Sequence, residues 1–542
     1  MKKLRILLVA FSNIAGEYEP LGIECLAGHL NKTLGNQIEV CLMRVKNKSQ
    51  LQKFLQVVDF SSYDVVGVSL FFNTLGYLER LMKCMSGIDN KPEIVLGNIL
   101  AAFNIENILF KYPEIIICYS SGELSMQQFV EYKLGLKSIG EVSGMAYLKK
   151  GIVQINKFFP GPMAAPMRVF LDEIRKRSTG KIYVQSMSGC PYDCAFCVQG
   201  KFFCFCRIIK TKEVLIKELI DLCTQTQHQI RLIDFVDEDL LADSEVAGMV
   251  ALAILELKRF GILKSDAQIM CSISVRSLID NLETFNCLVE AGLKRCFIGV
   301  ESFSSAQLLR YEKTHTIDET VFALETLTRK GIDFEIGLFM FEPETTLIDL
   351  KLNCQRIREV KAIASISNPL HQWRALKDSR MYKRQLRENL VITGSYDPSW
   401  LTQDWHYVNQ EVANIIYAAK KLESGLVQVE SAIKEISRSE KLFLLSFKAR
   451  QLLKIIKQEL NELFVSFVER AVSEIPEDEE LVLLNEEFEK RAILFLSRLS
   501  LLKVRGLTSL VRVSKKALQL KSSGKIELLL PQDKPKAYKR ES

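Results

Sequence analysis

The chain of 542 residues carries 48% hydrophobic and 25% charged side chains and a formal net charge of +7. That composition excludes a disordered or fibrous protein and, at roughly 150 residues per domain, calls for about three folded domains. No apolar run approaches the ~18 residues needed to span a bilayer. The start MKKLRILLVAF alternates as a strand rather than a signal peptide, so the fourteen cysteines are expected as reduced thiols of a cytoplasmic protein.

From residue 3 to 137, the apolar runs KLRILLVAF, QIEVCLMRV, DVVGVSLFF, EIVLGN and EIIICYS alternate with helical patterns. Continuously apolar strands separated by helices predict a parallel sheet covered on both faces, here a doubly wound, Rossmann-like α/β domain of about five strands over residues 1–137. Residues 138–180 hold possible hairpin strands and the proline-bearing FFPGPMAAPMRVF, which read as a linker. The alternation resumes at 181 and runs through six β/α units to 375. This predicts a partial (β/α)6 barrel whose reactive face lies at the C-terminal ends of its strands.

From 376 to about 530 helical periodicity takes over. IPEDEELVLLNEE is expected as a surface turn between helices, and the lysine-rich 531–542 as a disordered end. Residues 501–542 hold eleven Lys or Arg against three Asp or Glu, which leaves the first 500 residues nearly neutral. Segment 500–521 reads as a solvated surface helix, with an amphipathic contact to a membrane, a nucleic acid or an acidic partner as the alternative; it lacks the aromatic interleaving of a specific RNA surface.

The stretch SGCPYDCAFCVQGKFFCFC, residues 188–206, packs five cysteines together right after the first barrel strand. Three thiolates on a short loop, Cys190, Cys194 and Cys197, can hold three corners of a cubic iron-sulfur cluster and leave the fourth iron open. A zinc site would need a fourth ligand, which Cys204 or Cys206 could supply. Those two stand two apart, face the same way on an extended segment, and read as ordinary packing.

The form C-x3-C-x-aromatic-C, with Phe196 in the aromatic place, and the β/α run after it resemble the radical S-adenosylmethionine (SAM) superfamily. The resemblance implies that Cys190, Cys194 and Cys197 hold a [4Fe-4S] cluster whose open iron is chelated by SAM. It also implies that an external electron donor such as flavodoxin or ferredoxin drives cleavage of SAM to a 5′-deoxyadenosyl radical. By the same resemblance Phe196, an acid of the Asp237-Glu238-Asp239 run, Ser272, Ser274, Arg276, Gly299, Glu301 and Gly337 are SAM contacts.

FIGVES and FMFEPETT, with PLGIECLAG, VGVSLFFNT, EIVLGN and SSGELS in the first domain, resemble the branch that couples this barrel to a cobalamin-binding domain. Gly22, Ser69, Asn73, Gly97 and Gly122 are then expected beside the corrin. The family often has a second glycine where Asn98 stands and another where Ser121 stands. There is no Asp-x-His-x-x-Gly motif and His29 sits mid-helix, so a protein histidine is not expected on the cobalt.

The resemblance spans residues 3 to 375 and implies methylation of an unactivated carbon of a small-molecule or peptide substrate. Cyclisation or oxidative rearrangement without methyl transfer is the alternative; a non-catalytic metal-binding or electron-transfer module is the alternative of another class. His371, Trp373, Trp400, Trp405 and His406 follow the last barrel strand, where aromatic packing is the reading preferred to a substrate wall.

Overall fold

The computed structural model describes residues 3–12, 19–159, 168–169, 180–203, 207–225, 230–438, 447–474 and 478–500. Most of the expected linker stretch FFPGPMAAPMRVF, as well as Cys204, Cys206 and everything after Ser500, lies outside the described residues.

Strands β1 (Leu4–Phe11), β2 (Ile38–Val45), β3 (Val65–Leu70), β4 (Glu93–Gly97) and β5 (Ile116–Cys118) are parallel and ordered β2-β1-β3-β4-β5. Along β1, Leu7, Val9 and Phe11 enter one apolar core while Ile6, Leu8 and Ala10 enter another. Both faces are therefore covered, which is why the strand is apolar at every position from Ile6 to Phe11.

The hairpin expected inside the linker belongs to this sheet. β6 (Met145–Lys149) pairs antiparallel with β5, and β7 (Ile152–Ile155) with β6, making seven strands instead of five. Lys150 and Gly151 at its tip both have positive φ, as a two-residue hairpin turn demands.

The second sheet follows from β8 (Lys181–Val184). After β9 (Met187–Ser188) and β10 (Ile208–Ile209), a small antiparallel pair, come β11 (Leu232–Phe235), β12 (Gln268–Ser274), β13 (Leu293–Glu301) and β14 (Asp333–Leu338). The order β14-β13-β12-β11-β8 is parallel throughout. On β12, Ile269, Cys271 and Ile273 join the helix-covered core, whereas Gln268, Met270, Ser272 and Ser274 lie half-buried on the opposite, lumen face.

The sixth barrel unit is a correction. Residues Ile363–Ser365 coil into a 3-10 turn, and the strand is reduced to isolated parallel bridges, Ile336 to Ile366 and Phe341 to Gln372. The carbonyls left over are not orphaned: the Asn461 side-chain amide donates to Ile363 O (2.8 Å) and Ile366 O (3.0 Å). Asn461 sits on the helix Phe447–Ser473, which with Gln410–Arg438 and Asp478–Ser500 forms the C-terminal region. The acidic stretch expected as a turn is helical from Asp478. Asp478, Glu479 and Glu480 occupy a first helical turn, where the helix dipole favours negative charge. No helix among the described residues is long and apolar enough to cross a membrane.

A buried ion network ties the two sheets together. Arg168, with a fully buried side chain, places Nη1 2.9 Å from Glu19 and 3.2 Å from Glu24 of the first domain, and Nε 3.3 Å from Glu218 on the barrel helix Lys212–Gln225. Glu218 also receives Lys210 at 2.7 Å, and Val169 N donates to Glu24 O. Burial alone would lower the Arg168 pKa; Glu19, Glu218 and Glu24 more than offset it and hold the guanidinium charged. Arg168→Ala is expected to cost about 3–5 kcal/mol, because Glu19 and Glu24 stay buried without the Arg168 cation and Glu218 keeps only Lys210. Denaturant unfolding measures this, and the first domain is expected to melt separately from the barrel.

Candidate active site

The cysteine loop is an excursion between β9 and β10, and its base is held from below. Asp237, just past β11, accepts hydrogen bonds from Ser186 N (3.2 Å), Ser186 Oγ (2.6 Å) and Met187 N (2.6 Å). Gly189 enters the loop at φ +89°, a conformation a side chain would strain. Within the loop, Cys197 N donates to Cys194 O (3.0 Å), and Gln199 N points at Cys197 Sγ (3.4 Å).

Ala195, between the second and third cysteines, has both backbone groups engaged. Its N–H donates to Tyr311 O (3.1 Å), and its carbonyl accepts from Met381 N (2.8 Å). The Phe196 ring turns inward against Phe339 (4.9 Å) and Tyr311 (5.9 Å).

Cys190, Cys194 and Cys197 are free and half-buried. Burial pushes Cys190 up to about 12 and Cys197 up to about 11. Burial also raises Cys194, with the Lys313 ammonium working against it. Among the described residues, no three His, Cys, Asp or Glu side chains gather as a single metal ion requires. Three cysteines that each take a different corner of an iron-sulfur cube have no such requirement, and Cys190, Cys194 and Cys197 are three such thiols on one short loop.

The three acids after β11 separate by their partners. Asp237 is occupied as described. Asp239 accepts from Ser274 N (3.0 Å), Ser277 Oγ (2.9 Å) and Leu241 N (3.1 Å). Glu238 alone keeps a buried oxygen, Oε2, without a hydrogen-bond partner in the structure. Burial pushes its carboxyl up to about 7, and the Gly189 N–H at the head of the cysteine loop is among the groups that act against this. A buried acceptor with nothing to accept is a place for a ligand cation.

The remaining expected contacts divide. Ser272 faces the lumen, half-buried, whereas Ser274 caps the helix Val275–Asp280. Arg276 does not reach the lumen; it pairs with Asp280 and with Glu319 (3.0 Å) at a partly exposed surface. Gly299 and Gly337 make room for neighbours. A Cβ on Gly299 would meet Glu301 Oε1 at 2.6 Å, and one on Gly337 would meet the Phe297 ring at 2.5 Å.

Glu301, at φ +67° where β13 slips register against β14, pairs with Lys313 Nζ at 3.2 Å. The same ammonium lies 5.6 Å from the Phe196 ring centre. Lys313 is not among the site residues expected from the sequence.

In the first domain, Gly22, Ser69, Asn73, Gly97 and Gly122 all lie at or just beyond the carboxyl ends of β1, β3, β4 and β5. The chain departs from β1 to β2 on one side and lies beside β3 on the other, the switch point at which open α/β sheets bind ligands. A Cβ added at Gly22 would meet nothing within 4 Å. Asn98 adopts φ +75°, ψ 171°, a conformation essentially confined to glycine, in keeping with the glycine of the resembled pattern. Its side chain steadies it through Ile99 N (2.6 Å) and Ser69 Oγ (3.1 Å). His29 Nε2 is paired with Gln127 Oε1 (2.9 Å) between two helices.

The two edges meet. Val198, directly after Cys197, and Leu401 are buried in the first domain's core. Ser120 Oγ donates to Phe202 O (3.1 Å), Asn73 N to Ser399 O (2.8 Å), and Phe72 stacks on Trp400 at 6.2 Å and 13°. Trp373 is buried beside Ala195, Tyr311 and Met381, and His371 lies 5.0 Å from Phe339, at the mouth of the lumen.

These features define a radical SAM barrel joined to a ligand-binding α/β domain. The radical SAM superfamily matches residues 184–346 and the B12 binding domain matches residues 7–130. The chain therefore joins a B12 binding domain to a radical SAM domain, and the cofactors that go with these two domains are a [4Fe-4S] cluster, SAM and cobalamin.

Among curated relatives, 4'-phospho-dehydrooxetanocin synthase of Priestia megaterium is 25% identical over 62% of this chain and 48% of its own length. An uncharacterized methyltransferase of Pyrococcus horikoshii is 21% identical over 77% of this chain and 92% of its own. The chain thus spans about half the length of the first relative. The structure of the cobalamin-dependent S-adenosylmethionine radical enzyme OxsB with aqua-cobalamin bound superposes with a TM-score of 0.74 at 17% identity, covering 97% of this chain and 82% of that one. Its fold thus extends through the C-terminal helices.

Glu238→Gln is expected to weaken SAM binding at least tenfold without lowering the melting temperature, since it removes a buried negative charge whose Oε2 has no hydrogen-bond partner. Wild-type affinity should rise as pH passes upward through about 7, where the carboxylate ionises, and the variant's should not. Asp237→Asn should instead cost about 1–3 kcal/mol of stability, because it strips acceptors from buried donors. Equilibrium dialysis with labelled SAM and thermal melts distinguish the two.

Proposed function

We propose that the protein uses a SAM-derived radical to abstract a hydrogen atom from an unactivated carbon of a small-molecule or peptide substrate, and that a methyl group is then placed on that carbon. The observation that carries this reading is the docking of the cysteine loop, through Val198 and Phe202, onto the strand-end edge of the first domain. One chamber then serves both cofactors.

When bound, the cluster supplies the electron that splits SAM, and cobalamin supplies the methyl group or a redox partner. The chain's own residues hold and shield. Cys190, Cys194 and Cys197 would hold the cluster; Glu238 Oε2 would accept from the SAM amine; Phe196 would offer its ring to the adenine, and Lys313 positive charge beside Cys194. Phe339, Tyr311 and His371 keep water from the mouth, which protects a reactive radical. Gly22, Ser69, Asn73, Gly97 and Gly122 line the corrin's approach. The electron comes from an outside one-electron carrier, a flavodoxin or ferredoxin.

Methyl transfer is favoured by the Pyrococcus horikoshii match, which spans more of both chains than the match to the Priestia megaterium synthase. The OxsB fold, shared through the C-terminal helices, favours a second reading, in which the substrate radical is rearranged or oxidised without gaining a methyl group.

Anaerobic reconstitution with iron, sulfide and cobalamin, followed by methyl-deuterated SAM and an extract of the native host, separates them by mass spectrometry. Methyl transfer predicts deoxyadenosine, S-adenosylhomocysteine and a deuterium-labelled product; deoxyadenosine with an unlabelled product supports the second reading. Cys194→Ala should abolish both. Stoichiometric zinc without SAM cleavage would contradict an enzyme of this kind.

A further inference from the structure

The cysteine loop faces three ways. Phe196 points into the barrel and Val198 into the first domain's core. The third side, Asp193 to Ala195, is overlaid by the helix Arg380–Arg387, whose sequence RMYKRQLR holds four cations in eight residues. This helix is fastened to the loop: Met381 N donates to Ala195 O at 2.8 Å. Arg380 contacts Asp193 (3.2 Å) and Glu312 (2.6 Å). Only a short span of backbone therefore separates the cluster ligands Cys194 and Cys197 from the outer face of a basic helix.

That face is exposed. The side chains of Arg380 and Lys383 are 47% and 56% accessible, Arg387 is exposed on the last turn, and Lys201 beyond the loop is 47% accessible. The acids nearby serve mainly to anchor: Asp193 and Glu312 hold Arg380, and Asp378 is shared by Lys201 (3.2 Å) and, more distantly, Lys383 (3.9 Å). With Arg374 and Lys377 on the approach to the helix and Glu388 after it, six cations stand against four acids. The first 500 residues as a whole are close to neutral, so this is a local basic surface.

We propose that the face formed by Arg380, Lys383, Arg387 and Lys201 docks an acidic one-electron carrier protein that reduces the cluster. The inference rests on the reading that the cluster is fed from outside, and adds where the donor binds. Electron-transfer encounters are small and weak, and opposite charge brings the partners together quickly without a large apolar interface. With an acidic flavodoxin as donor, the anionic flavin hydroquinone loses one electron and the oxidised cluster gains it; no bond or proton moves. The doubly bonded Ala195 keeps the loop rigid at the point of contact.

The test uses the full reconstituted chain and its Lys383→Glu/Arg387→Glu variant, with Lys149→Glu/Lys150→Glu on the remote β6–β7 turn as control. Stopped-flow bleaching of the cluster by flavodoxin hydroquinone is followed against ionic strength, alongside line broadening of isotope-labelled flavodoxin in NMR spectra. Wild type and control should show a rate that falls steeply with salt. The Lys383/Arg387 variant should be at least tenfold slower at low salt and broaden flavodoxin signals far less. Reduction by dithionite should be alike in all three proteins.

Equal flavodoxin rates in variant and wild type, a rate insensitive to salt, or a wild type reduced by dithionite but not by flavodoxin would each overturn the docking surface. A wild type in which dithionite reduces no cluster would instead overturn the reading beneath it.

Discussion

The arrangement depends on one buried guanidinium. Arg168 reaches Glu19 and Glu24 on one side and Glu218 on the other, all with fully buried side chains. Desolvating five charges, counting Lys210, is costly, and apolar packing of equal volume would often be as stable. What such a network adds is direction. Its fixed geometry is satisfied only when the first domain's helix Leu21–Leu34 and the barrel helix Lys212–Gln225 hold one relative orientation, and in that orientation the strand ends of both sheets face each other.

Everything chemical follows from that facing. The cysteine loop could not bury Val198 in the first domain's core if the sheets were rotated, nor could Ser399 accept from Asn73. The loop is further clamped at Ala195 between Tyr311 and Met381, so its three cysteines sit on a braced frame, and Glu238, past β11, keeps an open acceptor. The segment after the barrel packs onto the first domain as well, with Trp400 stacked on Phe72 and Tyr396 Oη donating to Asn104 Oδ1 at 2.9 Å.

Much of this was legible from residue patterns. Strands buried on both faces announce themselves as unbroken apolar runs, and a C-x3-C-x2-C loop after a strand limits the chemistry to a few metals. Other features are invisible in one dimension. The β6–β7 hairpin joins the first sheet through pairing with β5, a long-range choice that local alternation does not encode. The sixth barrel strand failed because the carbonyls of Ile363 and Ile366 found Asn461, almost a hundred residues away. Which of three adjacent acids is open could be decided only by counting partners, and Arg276 was drawn away by Asp280 and Glu319. Gly299 and Gly337 looked like ligand contacts but make room for Glu301 and Phe297. Lys313 gave no signal, because its meaning comes from Cys194 and Glu301 in the fold.

The central claim is that cluster and cobalamin share one chamber, held by the Arg168 network. It is tested most directly by electron paramagnetic resonance of the protein carrying both cob(II)alamin and the reduced cluster. The account predicts spectra broadened and split by coupling between the two unpaired spins, with the effect lost in Arg168→Ala. A spectrum equal to the sum of the two isolated centres would contradict it.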